Sequence, residues 1–349
     1  MLLVGNRTAA GSETVSTIGL LIADDADARA RFGLRSELYA MYRKYVAVDS
    51  GATIHAIAVT EAGAAASKTF TFATNSSAAG TVEISAHGEV FEATVENLDT
   101  PTVVAAAVVA AINAYDEGRL QVTAAAVAGV VTVTAAQTGL RGDYIIGSAT
   151  NTRGVRMRMT RANLMTITAG GAVTSAANDD FTAAAAAMAS DEFFYQALAT
   201  STTGGEAGGD LLGPLYAVTA TDNGVGEWSD TINQQALPVN GKEQTFIVGS
   251  VGVPTQAIVG IAEDINSVWG KVVWQENSDW TPAMLAAHHL AVKRSAEVAH
   301  PSANIAGYTA GDGKIYQVPK PFLGADRPTK TELRSALNGG VSALSVTPT

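Results

Sequence analysis

A chain of 349 residues is long enough to bury a sizeable core and implies two domains or one large one. Its net charge of -11 and isoelectric point near 4.9 argue against a nucleic-acid partner, which needs a basic surface to release counterions from phosphates. Cysteine is absent, which excludes disulfides, thiolate metal sites and cysteine nucleophiles, and no apolar run approaches the roughly 20 residues needed to cross a bilayer.

In chain order, "LLVG" from Leu2 to Gly5 reads as a buried strand. The opening "MLLVGNRTAAG" has no basic lead and too short an apolar stretch for a secretory signal, so synthesis in the cytoplasm is expected. "IGLLIA", Ile18 to Ala23, has strand length, although it can also lead directly into a helix. In "DDADARARFG", Asp24 and Asp25 suit a helix start, Arg29 and Arg31 suit its end, and Gly33 suits a left-handed stop. Ser36 is the expected N-cap of a second helix with Leu38, Met41, Tyr42 and Tyr45 on its apolar face, and Arg35, Arg43 and Lys44 on a solvated one. "TIHAIAV" follows as a strand.

From about Glu61 the composition turns to Thr, Ala, Ser and Gly and the hydrophobic period shifts towards two, which marks a separate β-rich unit. "KTFTFAT" places Phe70 and Phe72 on one face. "TVEISAHGEVFEATV" reads as a hairpin with Val82 and Ile84 before the turn at His87-Gly88 and Val90 after it. A helix is expected from N-cap Thr100 and first-turn Pro101 to Gly118 as its stop. "LQVTAAAV", "VVTVTA", "VRMRMT" and "MTITAGG" are strands, closing the unit near Gly171.

α/β punctuation then returns. A helix opened by Asp180 runs through Met188, "EFFYQALA" is a strand, and "STTGGEAGGD" leads to a helix near Leu211 to Ala217. "QTFIVGSVG" and "KVVWQ" are strands separated by a helix in "TQAIVGIAEDINS". "TPAMLAAHHLAVKRSAEVAH" is a helix with Pro282 in its first turn. The expected fold is an α/β core with a mostly parallel sheet flanked by helices, formed by residues 1–60 and 172–349, with a β-rich domain containing one helix inserted at 61–171 (α+β overall).

Chemistry-bearing patterns are sparse. His288 and His289 are adjacent, so on a helix they point about 100° apart and cannot form an i, i+4 zinc pair. His55 suits a strand interior, His87 a turn and His300 a helix end before Pro301. "STTGGEAGGD" lacks the Gly-Lys-Ser/Thr ending of a phosphate loop and carries Glu206 and Asp210, which repel phosphate. "VGSVG", Val248 to Gly252, lacks the spacing of a serine-nucleophile elbow, and the carboxylate pairs Asp24-Asp25 and Asp179-Asp180 are accounted for by capping. "RGDY", Arg141 to Tyr144, is read as a loop before a strand. Trp228, Trp269, Trp274 and Trp280 suit a ligand groove or, more commonly, core packing. No catalytic, cofactor or metal residue is assigned.

"ADARARFGLRSELYAMYRKYV", between the "LLVG" and "IHAIAV" strands, resembles the tail sheath proteins of Mu-like contractile-tailed phages, in which a Phe-Gly-x-x-Ser segment joins two helices after a short strand. Phe32, Gly33 and Ser36 form that segment, with Leu38 and Met41 in the helix. "AAGTVEISAHGEVFEATV", "VVAAAVVAAINA", "VTVTAAQTGLRGDYI" and "TITAGG" are similar to the β-rich domain of that family in the same order; "DINSVWG", "AHPSANIAGY" and "PTKTELRSALNGGVSALSV" are similar to its subtilisin-like core.

The resemblance implies a structural subunit and not an enzyme, without cofactor, that stacks as hexameric rings around a tail tube in the virion tail. It is assembled in the host bacterial cytoplasm, and contraction drives the tube through the host envelope. The implied partners are its own copies, the tube protein, and baseplate and tail terminator proteins, with no nucleic acid or membrane; residues from about 61 to 171 would lie outward. Family members carry an N-terminal arm with a Pro-Gly-Val-Tyr-like segment and a further C-terminal domain. Because this sequence starts almost on the first core strand and stops eight residues past Val341, a trimmed core is the expectation. A structural or adhesive surface protein that binds a foreign ligand, and a serine-type hydrolase using Ser250, are the alternatives.

Overall fold

The computed structural model of the chain describes residues 1–59, 61–86, 89–147, 154–161, 164–174, 182–188, 193, 195–199, 245–250, 270–274, 280–299 and 342–343. In chain order the elements are β1 (Leu2–Asn6), α1 (Asp25–Phe32), α2 (Glu37–Val46), β2 (His55–Val59), β3 (Ala65–Ala73), β4 (Gly80–Ala86), β5 (Glu89–Val95), α3 (Pro101–Ala114), β6 (Val122–Val127), β7 (Val130–Thr138), α4 (Gly139–Ile146), β8 (Arg156–Met159) and β9 (Thr166–Val173). They continue with α5 (Thr182–Met188), β10 (Tyr195–Leu198), β11 (Thr245–Ser250), β12 (Gly270–Trp274), α6 (Pro282–Ala299) and β13 (Ser342–Ala343). Helices and several sheets are mixed, which makes the chain α+β.

Two compact units divide the chain: Met1–Glu61 with Asn178–Thr349, and Ala62–Ala177. The discontinuous unit holds a six-stranded sheet in the order β13-β12-β11-β10-β1-β2. β1 pairs with β2 in a parallel register that places Leu2 opposite His55 and Asn6 opposite Val59, and on its other side it pairs parallel with β10, Leu2 opposite Gln196. β1 is buried at all five positions, the apolar run Leu2 to Gly5 and the polar Asn6 that ends it. α2 and α6 pack on this sheet and on each other. Alanines at 56, 58, 197, 283, 286, 287 and 291 line the shared core with Leu3, Leu38, Met41 and Leu290, and such short side chains permit close approach of helix and sheet.

The continuous unit has a four-stranded antiparallel sheet, β6-β7-β3-β9, and a three-stranded one, β5-β4-β8. Phe70, Phe72, Val82, Ile84, Val131, Val133 and the buried face of α3 (Val104, Val108, Ile112) form its core. Thr100 caps α3 by accepting from the Val103 amide, with Pro101 at the first position, as expected.

Several expectations are corrected. "IGLLIA" forms neither strand nor helix. It runs as an irregular strap along β2, where Ile18 makes an isolated bridge to Ile57 and Leu20 and Leu21 remain exposed. Gly33 does have positive φ (84°), but with ψ 144° it lies outside the left-handed helical region. Val90 pairs with Ser85 on the outer face and is exposed, whereas Phe91, Ala93 and Val95 turn inward; the turn at His87-Gly88 lies outside the described residues. α3 stops at Ala114, four residues before Gly118, and a short 3-10 turn follows with Asp116 and Glu117 at positive φ. "RGDY" belongs to α4 and is no loop: Arg141 is buried, and Ile145 and Ile146 anchor the helix in the core, so tertiary burial overrides the turn-like composition. β9 continues to Val173. The expected helices in 211–217 and in "TQAIVGIAEDINS", the loop "STTGGEAGGD" and the helix start at Asp180 lie outside the described residues.

Candidate functional site

The corner between α1 and α2 gathers Phe32, Gly33, Ser36, Leu38 and Met41. Asp24 starts α1 by accepting from the Asp27 amide at 2.8 Å, and Asp25 pairs with Arg29 one turn later at 2.9 Å. The Gly33 amide closes the helix on the Arg29 carbonyl, and the Gly33 carbonyl accepts from the Ser36 amide. Ser36 then caps α2 through the Tyr39 amide at 3.0 Å. Phe32, Leu38 and Met41 are fully buried. A Cβ placed on Gly5 would stand 3.2 Å from the Met41 sulfur and 3.1 Å from the Ala199 Cβ, so glycine at the end of β1 is what lets α2 lie down on the sheet. The five residues thus meet as packing; none presents a reactive group to a cavity.

The expected solvated side of α2 is in fact partly covered. Lys44 Nζ lies 4.1 Å from the centre of the Trp280 ring, a cation–π contact, and Trp280 meets His288 edge-on at 5.1 Å. Tyr45 donates to Asp49 at 3.2 Å, and Asp49 also pairs with Arg294 of α6. Burial, with Asp49 beside it, pushes the Tyr45 phenol well above its usual range; burial lowers the Arg35 guanidinium. The sequence signal for this belt was present, since Lys44 lies one turn past Met41 and Tyr45 one turn past Tyr42, but Trp280 and Arg294 are about 240 residues away.

Order reverses around β1: β2 lies to one side and β10 to the other. Such a switch point is where open α/β sheets commonly bind ligands, beyond the carboxyl ends of the strands. Asn6 and Ala199 occupy those ends here, with the buried Glu37 carboxylate at the start of α2 nearby. Ser250 also ends its strand on this edge, whereas His55 opens β2 at the opposite edge, level with Leu2 and through it with Gln196 and Phe246. Ser250 and His55 are therefore not brought together. His55 Nδ1 donates to the Gly19 carbonyl, 3.0 Å away, in the strap beside β2. Among the described residues no group of three or more His, Asp or Glu is placed to hold a metal ion, and no helix is long and apolar enough to cross a membrane. His87, His300, Trp228 and Trp269 lie outside the described residues.

Three arrangements carry no sequence motif. Arg31 pairs with buried Glu13 and holds the strap carbonyls of Leu20 and Leu21. The side-chain amide of Asn113 on α3 exchanges two hydrogen bonds with the backbone of Ala124 in β6, at 2.8 and 3.0 Å. On the outer face of β4 and β8, Arg158 forks onto Glu83 at 2.6 and 2.8 Å beside an open cleft of about 480 Å³ lined by Ser85, Val90, Arg156 and Met157. Burial, with Arg156 beside it, lowers the Lys68 ammonium below its usual value. An isolated Asn in the apolar helix "VVAAAVVAAINA" was the one local hint of the second arrangement. No protein-family model matches the chain, and no curated protein matches it.

Proposed function

We propose that this chain is a structural subunit of a contractile tail sheath, and that it works by self-assembly in place of catalysis. In this reading the discontinuous unit is an α/β core with a mostly parallel sheet flanked by helices, and the β-rich unit is an outward insertion. Hexameric rings stack around a tail tube between baseplate and terminator, within a virion tail assembled in the bacterial cytoplasm. The observation that carries the reading is the order of sheath-like segments and the elements on which they fall. "LLVG" is β1, the Phe-Gly-x-x-Ser segment is the α1–α2 corner, "IHAIAV" is β2, and four β-domain segments fall on β4–β5, α3, β7–α4 and β9; "PTKTELRSALNGGVSALSV" contains β13 and otherwise, like "DINSVWG" before Gly270 and "AHPSANIAGY" after Ala299, lies outside the described residues. One sheet is thereby built from both sides of an inserted unit. A machine of this kind needs two packings of the same subunit that differ in free energy, and heterologous contacts that propagate into a tube.

Negative-stain electron microscopy of the purified chain, alone and with a contractile-tail tube protein, tests the proposal. Sixfold collars or hollow cylinders around the tube are expected. A chain that stays dispersed and fails to co-sediment with assembled tubes overturns the reading.

A further inference from the structure

We infer that β9 is an association edge, on which a second copy of the chain adds its own β9 as an antiparallel strand. An exposed strand edge is a template for pairing, and proteins blunt edges that are not meant to pair. The other edges of the described sheets carry such devices. The strap from Val15 to Ile22 covers β2, taking the Ala56 and Ala58 carbonyls through the Gly19 and Ser16 amides. Asn113 occupies both backbone groups of Ala124 on β6. β5 carries Glu89 and Glu92, β8 carries Arg156 and Arg158, and β13 is two residues long. β9 is eight residues long, ends the sheet next to β3, and has no charged residue and no proline. Thr166, Thr168, Ala169, Gly171 and Val173 are exposed along it.

A bulge at Gly170-Gly171 bends the end of the strand, but Thr166 to Ala169 pair in unbroken register with Ala73 to Phe70. That regular half is self-complementary. A two-fold axis perpendicular to the sheet through Ile167 sets Ile167 against its own copy on the core-facing side. It also sets Thr166 against Thr168 twice on the outer side, where Thr pairs are favourable. Charge selects a second copy as the occupant: a chain of net charge -11 repels itself over most approaches, and this uncharged edge lets two copies meet without that cost, while offering a charged foreign strand no counter-charge.

Sedimentation velocity over a concentration series tests the inference. The wild-type chain should pass from monomer to dimer, and the Thr166→Lys/Thr168→Lys double variant, which opposes two lysine pairs across the axis, should remain monomeric with unchanged circular dichroism and thermal midpoint. The absence of cysteine supplies a second readout. An oxidised mixture of Thr166→Cys and Thr168→Cys chains should form disulfide-linked dimers in far higher yield than either chain alone. A wild-type chain that sediments as a monomer at every concentration, a double lysine variant that dimerises like wild type, or a cysteine mixture no better than its components would overturn it. The inference does not rest on the sheath reading, since collars on a tube formed by the double lysine variant would leave that reading standing.

Discussion

Arg31 on α1 and Glu13 in the opening loop form an ion pair, Nε to Oε2 at 2.6 Å, with both side chains largely out of water (13% and 7% exposed). The same guanidinium donates to the Leu20 carbonyl at 2.7 Å and the Leu21 carbonyl at 3.2 Å. One side chain thus fixes the loop and the strap that covers β2, and its position near the end of α1 is only part of its work.

Arg31→Ala is expected to destabilise the discontinuous unit by about 3 kcal/mol, because it leaves a buried carboxylate uncompensated. Joint replacement, Arg31→Met with Glu13→Leu, should recover most of the loss. Equilibrium denaturation in urea reads both, and equal stability of Arg31→Ala and wild type would show that the pair contributes nothing.

Gly33 joins α1 to α2 at φ 84° and ψ 144°, a conformation reserved almost entirely for glycine, and an added Cβ would collide with the Thr8 hydroxyl. Gly33→Ala should cost about 3 kcal/mol from strain and overlap together. Adding Thr8→Ala should relieve the overlap and leave the backbone strain, so the double variant is expected to melt between Gly33→Ala and wild type.

Asn113→Ala removes both side-chain partners of Ala124 and should cost about 2 kcal/mol, since two native hydrogen bonds of about 1 kcal/mol each are lost. Amide exchange at Ala124 should quicken more than at Val133 in the neighbouring strand. The variant also exposes the β6 edge, and light scattering near the melting temperature should show earlier aggregation. Retained protection at Ala124 would indicate that Asn113 is dispensable.

Hydrogen bonds from Arg158 hold the Glu83 carboxyl below its usual range. A carboxylate depressed in the folded state adds stability that is fully present above its unfolded value and is lost as pH falls through the folded one. Glu83→Gln should therefore flatten the acid limb of the stability profile below the ordinary glutamate range. Its effect near neutrality should shrink in high salt because Arg158 is 74% exposed. An unchanged acid limb would remove the pair from the account.

Elements set by local chemistry were legible in the chain. Asp24, Ser36 and Thr100 each accept from an amide three residues on, so capping alone located three helix starts. Alternation placed Phe70 and Phe72 on one buried face, and the apolar runs at Leu2 and Ala56 marked strands buried within a sheet. The shift from helical to twofold periodicity near Glu61 came from the same local signals.

What the tertiary structure alone decided is where distant partners meet. "RGDY" reads as a loop until Ile145 and Ile146 find a core, Lys44 reads as solvated until Trp280 arrives from just ahead of α6, and neither Glu13 nor Asn113 sits in a motif. Local sequence determines backbone preference through sterics and hydrogen bonding within a few residues, whereas burial, ion pairing and sheet-edge protection depend on free energies shared between segments that only folding brings into contact.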